Sequence, residues 1–189
     1  MEKREKNPCK EGVSMEHNSE QSTTVTSLIH QLKTFNSSEL KQATYLLSLL
    51  QKSQDDSIDN AVPMHFLGRF LAIEQHDDGT TEMTLGFQNE NTYGVAQGGS
   101  IYTLADVAIG FSILQNLTEE EKVFTLELKV NFIEKGQGSR LIATPYILRQ
   151  GRTTVVSECA IHDDSGKLVA KALGTFYISR TKKRKEGDR

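Results

Sequence analysis

An α+β domain is what this sequence predicts, and three observations predict it. Two strand-like runs, residues 66–75 and 80–88, come first. One long helical stretch follows, from about residue 97 or 98 to 115, free of proline and apolar nearly all round. Four more strand-like runs then succeed one another at short spacing, which reads as an antiparallel meander and not as alternating strand and helix. One helix crossing one curved sheet satisfies all three.

Each element has its own signal. Residues 1–22 are polar, charged and without periodicity, and are expected to be a disordered tail. Val25, Leu28, Ile29 and Leu32 recur at helical spacing, Asn36-Ser37-Ser38 breaks the pattern, and Leu40, Ala43, Leu46, Leu47 and Leu50 resume it. Residues 23–60 are therefore a helical hairpin and polar linker, too small to hold a core alone. The main domain is expected over residues 61–180. Its first two strands meet at the turn residues Asp77-Asp78-Gly79. The meander runs over residues 123–133, 141–149, 153–162 and 168–178. Its breaks are Lys135-Gly136-Gln137-Gly138, Gln150-Gly151 and Asp163-Asp164-Ser165-Gly166. Leu126, Leu128, Val130 and Phe132 alternate with Glu127, Lys129 and Asn131, as a sheet with one covered face requires. Residues 181–189 are a basic, solvated tail.

Composition excludes several classes. The net charge of −3 gives no electrostatic reason to expect nucleic acid as a partner. Cys9 and Cys159 lie far apart and form no CxxC pair, which argues against a disulfide framework or a zinc site. No apolar run approaches the ~20 residues of a membrane span, and the first residues carry no secretory pattern. A soluble, cytoplasmic protein is the expectation. His17, His30, His65, His76 and His162 are scattered without metal-ligand spacing, so no metal is expected. His76-Asp77-Asp78 and His162-Asp163-Asp164 read as turn chemistry. There is no Gly-x-Ser-x-Gly elbow, and Cys159 reads as a small core residue within a strand.

The chain is organised around residues 91–115. Asn91, Gly94, Gly98 and Gly99 suit a tight turn before the helix. Ile101, Leu104, Ala105 and Ala108 make one apolar face, but Val107, Ile109, Ile113 and Leu114 make the other side apolar as well. Such a helix must be covered on both sides, and a second copy of the chain is the simplest second cover. Asp106 sits amid that other side. A carboxylate placed where water is scarce is the first candidate for chemistry. A structural, hydrogen-bonded Asp is the alternative.

In this register Asn91, Gly94, Gln97-Gly98-Gly99 and Asp106, followed by the meander, resemble the hotdog-fold acyl-CoA thioesterases. That group includes phenylacetate-pathway and 4-hydroxybenzoyl-CoA-type enzymes, and the resemblance covers roughly residues 63–178. The resemblance implies a sheet wrapped around the long helix, acting on an acyl-CoA, with no cofactor beyond the coenzyme A of the substrate. It implies a homodimer, often a dimer of dimers. The Gly98 N–H would donate to the thioester carbonyl, and Asp106 of the partner's helix would be general base or nucleophile. Thr125 would orient the water, and Asn91 the substrate or water. Gly99 lies beside the oxyanion donor, and Gly151-Arg152, with Arg149, would meet the coenzyme A phosphates. Gln97 stands where the family pattern has His; its amide donates a hydrogen bond but does not titrate near neutrality. Two other readings stay open: a non-catalytic acyl-CoA sensor, and hydration of acyl thioesters by an Asp/His pair. The acidic balance of residues 1–60 counts against a DNA-reading sensor. The sequence places no histidine near a helix start, which counts against the hydratase.

Overall fold

A computed structural model describes residues 22–52, 64–118 and 120–180. The expected tails and the linker at 53–60 lie outside the described residues. The chain divides into two units, Met1–Ile58 and Asp59–Arg189. In the first, helix α1 spans residues 22–32 and helix α2 spans Ser37–Lys52. Asn36 starts α2. Its Oδ1 accepts from the N–H groups of Ser38 (2.9 Å) and Glu39 (3.0 Å), while Glu39 Oε2 accepts the Asn36 N–H at 2.7 Å. Orphan amides at the helix start are thereby paired reciprocally.

Among its described residues, the second unit has a helix where a strand is expected. Helix α3 covers Phe66–Phe70, and strand β1 only Ile73–Gln75. Phe66, Leu67, Phe70 and Leu71 fit a helical turn as well as a strand, and hydrogen bonding settles the choice. His65 Nδ1 accepts the Gly68 N–H at 3.0 Å, and the Arg69 guanidinium donates back to the Met64 carbonyl at 2.8 Å. Ala72, at φ 56°, then swings the chain into β1.

The remaining elements follow the expected order: β2 (Thr81–Thr84), α4 (Gly98–Leu114), β3 (Glu121–Phe132), β4 (Arg140–Gln150), β5 (Thr154–Asp163) and β6 (Leu168–Arg180). The strands form one antiparallel sheet in the order β1-β2-β4-β5-β6-β3, so β1 and β3 are its edges. α4 lies across the sheet. Leu104, Ile109 and Ile113 are wholly buried among Met83, Leu141, Val155, Ile161 and Phe176. Full burial of such side chains is worth roughly 1.5–3 kcal/mol each.

Two sequence expectations about faces are corrected. Ile109 and Ile113 need no second chain to cover them; both are fully buried within one, because strands and α3 all touch α4. What stays open on α4 is a stripe at helical spacing: Gly99, Tyr102, Thr103, Asp106, Gly110 and Leu114. In β3, Leu126 does not share the covered face with Leu128. Thr125 pairs with Phe176 and Glu127 with Thr175, so Leu126 is the extra residue of a β-bulge. It is 62% exposed, against 9% for Leu128. The bulge resets the period-two alternation, so Thr125 faces α4 ahead of it and Leu128 faces the core after it.

Asn89 pins the loop that leads into α4. Buried to 1% exposure, it donates to the carbonyls of Leu71 (2.9 Å) and Thr84 (2.8 Å) and accepts the Gly86 N–H at 3.0 Å. Its own carbonyl accepts the Gln97 N–H at 2.8 Å, one residue before the helix begins. Asn89→Ala takes the side-chain partner from the Leu71 carbonyl and the Gly86 N–H, while the Thr84 carbonyl keeps Gln88 Nε2 at 3.2 Å and the Gln97 N–H keeps its backbone acceptor. It is expected to cost about 2–4 kcal/mol in urea unfolding, where a loss below about 1 kcal/mol would deny Asn89 its pinning role.

Candidate active site

The site starts from the open stripe of α4. Asp106 is half-buried there, and the Thr125 hydroxyl donates to its Oδ1 at 2.7 Å. Edge strand and central helix meet at this bond. It holds one carboxylate oxygen in place.

At the far end of α4, Gln97 is the N-cap, with extended backbone (φ −69°, ψ 139°) and no hydrogen bond from its side chain to the cap. The Gln97 carbonyl accepts from the N–H groups of Ser100 (3.0 Å) and Ile101 (3.1 Å). The amides of Gly98 and Gly99 precede any possible intrahelical acceptor and point out of the helix end. The Phe132 ring lies beside Gly98, 3.4 Å from where a Cβ would stand. Asn91 shapes the loop before the helix: its Oδ1 accepts the Tyr93 N–H at 2.9 Å, and Gly94, at φ 70°, completes the turn. The Asn91 carboxamide oxygen is thus engaged by its own loop.

The expected phosphate-contacting residues lie at the opposite end of the sheet. Gly151 closes the β4–β5 turn, its N–H donating to the Thr154 carbonyl at 2.8 Å, and Arg149 and Arg152 are exposed on either side. Phe132 pairs with Ala170 on β6, whereas Thr154 pairs with Tyr177. Those positions are seven residues apart on one strand, roughly 24 Å.

One chain therefore brings together Asp106 and Thr125, and separates them from the helix-start group of Asn91, Gln97, Gly98 and Gly99. Gly98 and Asp106 are eight residues apart on one straight helix, about 12 Å along its axis. A single reacting carbonyl and its water need donor and base within hydrogen-bond reach, about 3 Å each.

One residue the sequence reading missed is also present. A cleft of about 240 Å³ runs along α4 from Asp106 past Gly110 to Leu114, walled by Val123, Thr125, Phe176 and His65. The expectation that no histidine lies near a helix start is thus corrected: His65 is the N-cap of α3. Its signal lay in the misread strand, because a capping role is invisible once residues 66–75 are taken as extended.

Among the described residues, no group of three or more His, Cys, Asp or Glu could hold a metal ion, and no helix is long and apolar enough to cross a membrane. Cys159 is wholly buried, and burial pushes its thiol up to about 12.

Residues 93–170 match the family model of the thioesterase superfamily. The domain has the hotdog fold, and residues 93–170 are similar to that superfamily. Solved relatives carry the same fold: the BH2602 protein of Bacillus halodurans, crystallised with CoA, superposes with a TM-score of 0.71 at 25% identity, covering 82% of this chain and 99% of that one. SSO2140 of Saccharolobus solfataricus, an esterase by name alone, is 39% identical over 89 residues, 47% of this chain and 63% of its own. The medium/long-chain acyl-CoA thioesterase YigI of Escherichia coli is 26% identical over 97 residues, 44% of this chain and 63% of its own. The match thus spans under two thirds of the length of both curated relatives. These homologues support thioester hydrolysis as the family's chemistry.

In the hotdog core the thiol of Cys159 stands neutral and out of reach. A native Cys9→Ser variant at pH 8 is expected to give no colour with an aromatic disulfide reagent until denaturant is added; immediate labelling would place Cys159 at the surface.

Proposed function

We propose that this protein hydrolyses acyl-CoA thioesters to a free acid and coenzyme A, at a site shared between two copies of the chain. The observation that carries the reading is the Thr125–Asp106 hydrogen bond on the open stripe of α4, in a hotdog domain similar to the thioesterase superfamily. With Oδ1 held by Thr125, Asp106 Oδ2 takes a proton from a water as the water oxygen attacks the thioester carbon. Negative charge moves to the carbonyl oxygen. The Gly98 and Gly99 amides of the second copy, at the positive end of its helix, receive that charge. The C–S bond then breaks, the acid departs, and the thiolate recovers the proton from Asp106. Arg149 and Arg152 are the candidates for the coenzyme A phosphates, and Gln97 polarises the carbonyl without titrating. The roughly 12 Å between Gly98 and Asp106 on one helix is what asks for the second copy.

One observation favours a second reading, hydration of an enoyl thioester: His65 shares the cleft with Asp106. The product separates the two. Hydrolysis liberates free thiol, whereas hydration bleaches the enoyl absorbance without liberating any.

Asp106→Asn is expected to lower kcat for thiol release by at least about 10²-fold while leaving the melting temperature near that of the parent; full turnover would remove Asp106 from the chemistry.

Gly98 permits a cleaner test of the donor than a backbone amide usually allows. It is the first helical residue, where proline is favoured; Gln97 already has the backbone that precedes proline, and a Cβ at position 98 would meet only the Phe132 ring, at 3.4 Å. Gly98→Pro deletes one N–H and is expected to cost about 10²–10³ in kcat. Mixing unfolded Asp106→Asn and Gly98→Pro chains and refolding them together should restore about a quarter of parental activity, because half of each mixed dimer's sites escape both changes. No recovery would confine the site to one chain.

A further inference from the structure

His65 stands outside the mechanism above, yet it forms part of the cleft wall. The other cleft residues beyond the Asp106–Thr125 pair are Val107, Gly110, Phe111, Leu114, Val123 and Phe176, which offer no side-chain donor. The cleft, about 240 Å³, runs along α4 with room for an acyl tail beyond the Asp106–Thr125 pair. Gly110 leaves it open, because a Cβ there would meet nothing within 4 Å.

The ring of His65 is fixed by its capping role. Nδ1 accepts the Gly68 N–H at 3.0 Å, so Nδ1 carries no hydrogen and the ring's hydrogen is on Nε2. His65 is itself exposed, and it stands on the wall of a cleft whose other side chains, the Asp106–Thr125 pair apart, are apolar; its Nε2–H is not used by the cap. A plain alkyl chain leaves that donor to water. An acyl group with an acceptor on its tail pairs with it and keeps its own hydrogen bond on leaving solvent.

Resting on the thioester-hydrolase reading, we propose that His65 is a specificity-determining residue that favours acyl groups carrying a hydrogen-bond acceptor, such as an oxo group, beyond the thioester. The inference concerns which acyl-CoA is preferred, not how the thioester is cleaved.

The test compares octanoyl-CoA with its 5-, 6- and 7-oxo forms on the full chain, with free thiol as readout. The best oxo substrate is expected to exceed octanoyl-CoA by about 3- to 10-fold in kcat/KM, the value of one net hydrogen bond. Two variants isolate the ring. His65→Asn keeps a good N-cap for α3 and loses the imidazole donor; the preference should fall to about one-fold. His65→Phe keeps the bulk and presents only carbon, so the ratio should drop below one as the oxo group goes unpaired. A change in melting temperature alone, with the substrate ratio intact in both variants, reduces His65 to a cap and overturns the inference. So does a parental enzyme that releases thiol from octanoyl-CoA and prefers none of the oxo forms. Thiol from no substrate at all sinks the hydrolase reading first, and this inference with it.

Discussion

The hydrogen bond from Thr125 to Asp106 depends on an irregularity in the sheet. β3 is an edge strand, and a regular edge strand would alternate without a break from Val123 to Phe132. In that register Leu128 and Thr125 would face opposite ways. The bulge at Leu126 adds the one residue that lets both face α4, Leu128 to close the core and Thr125 to hold the carboxylate. Bulges concentrate beside functional sites because they re-aim a side chain at small cost to the ladder. Here the cost is an exposed leucine, and the return is a carboxylate held by an edge strand.

The same geometry limits what one chain does alone. A straight helix is a ruler. It sets the Gly98 amides and the Asp106 carboxylate about 12 Å apart, and side-chain motion closes only part of that gap. The sheet repeats the separation, with the Arg149–Arg152 turn at the end remote from the helix start. Two copies related by a two-fold axis, with their helices antiparallel, would lay the amide end of each helix against the carboxylate of the other. On the proposed reading this constraint calls for a second copy. The apolarity of α4 does not, since the residues that suggested a second cover are buried within their own chain.

The fold was legible because its strongest signals are long. Four alternating runs separated by Gly-rich breaks define β3 to β6, and the apolar stretch after Gly98-Gly99 defines α4 to within a residue at either end. Asp106 stands out through the spaced motif and Thr125 through its match to a family position, and the structure puts the two in contact. What escaped is short or non-periodic. Residues 66–71 offer two apolar pairs, too few to separate a turn of helix from a strand, and the deciding bonds come from His65 and Arg69. The bulge escaped because the alternation Leu126, Leu128, Val130 is intact in the sequence; only pairing with β6 reveals the extra residue. His65 escaped as a consequence of the first error.

Gln97 in place of His is easier to understand once the helix start is seen. The side chain makes no capping bond, so its amide is not spent on the helix. The Gly98 and Gly99 amides face outward with the helix dipole behind them, a positive field that titration does not alter. In a thioester hydrolysis routed through Asp106, the proton travels from water to carboxylate to thiolate and never needs position 97. On the proposed reading, a titrating imidazole there would add a pH-dependent charge beside the donors assigned to the oxyanion. A neutral carboxamide adds no such charge beside them.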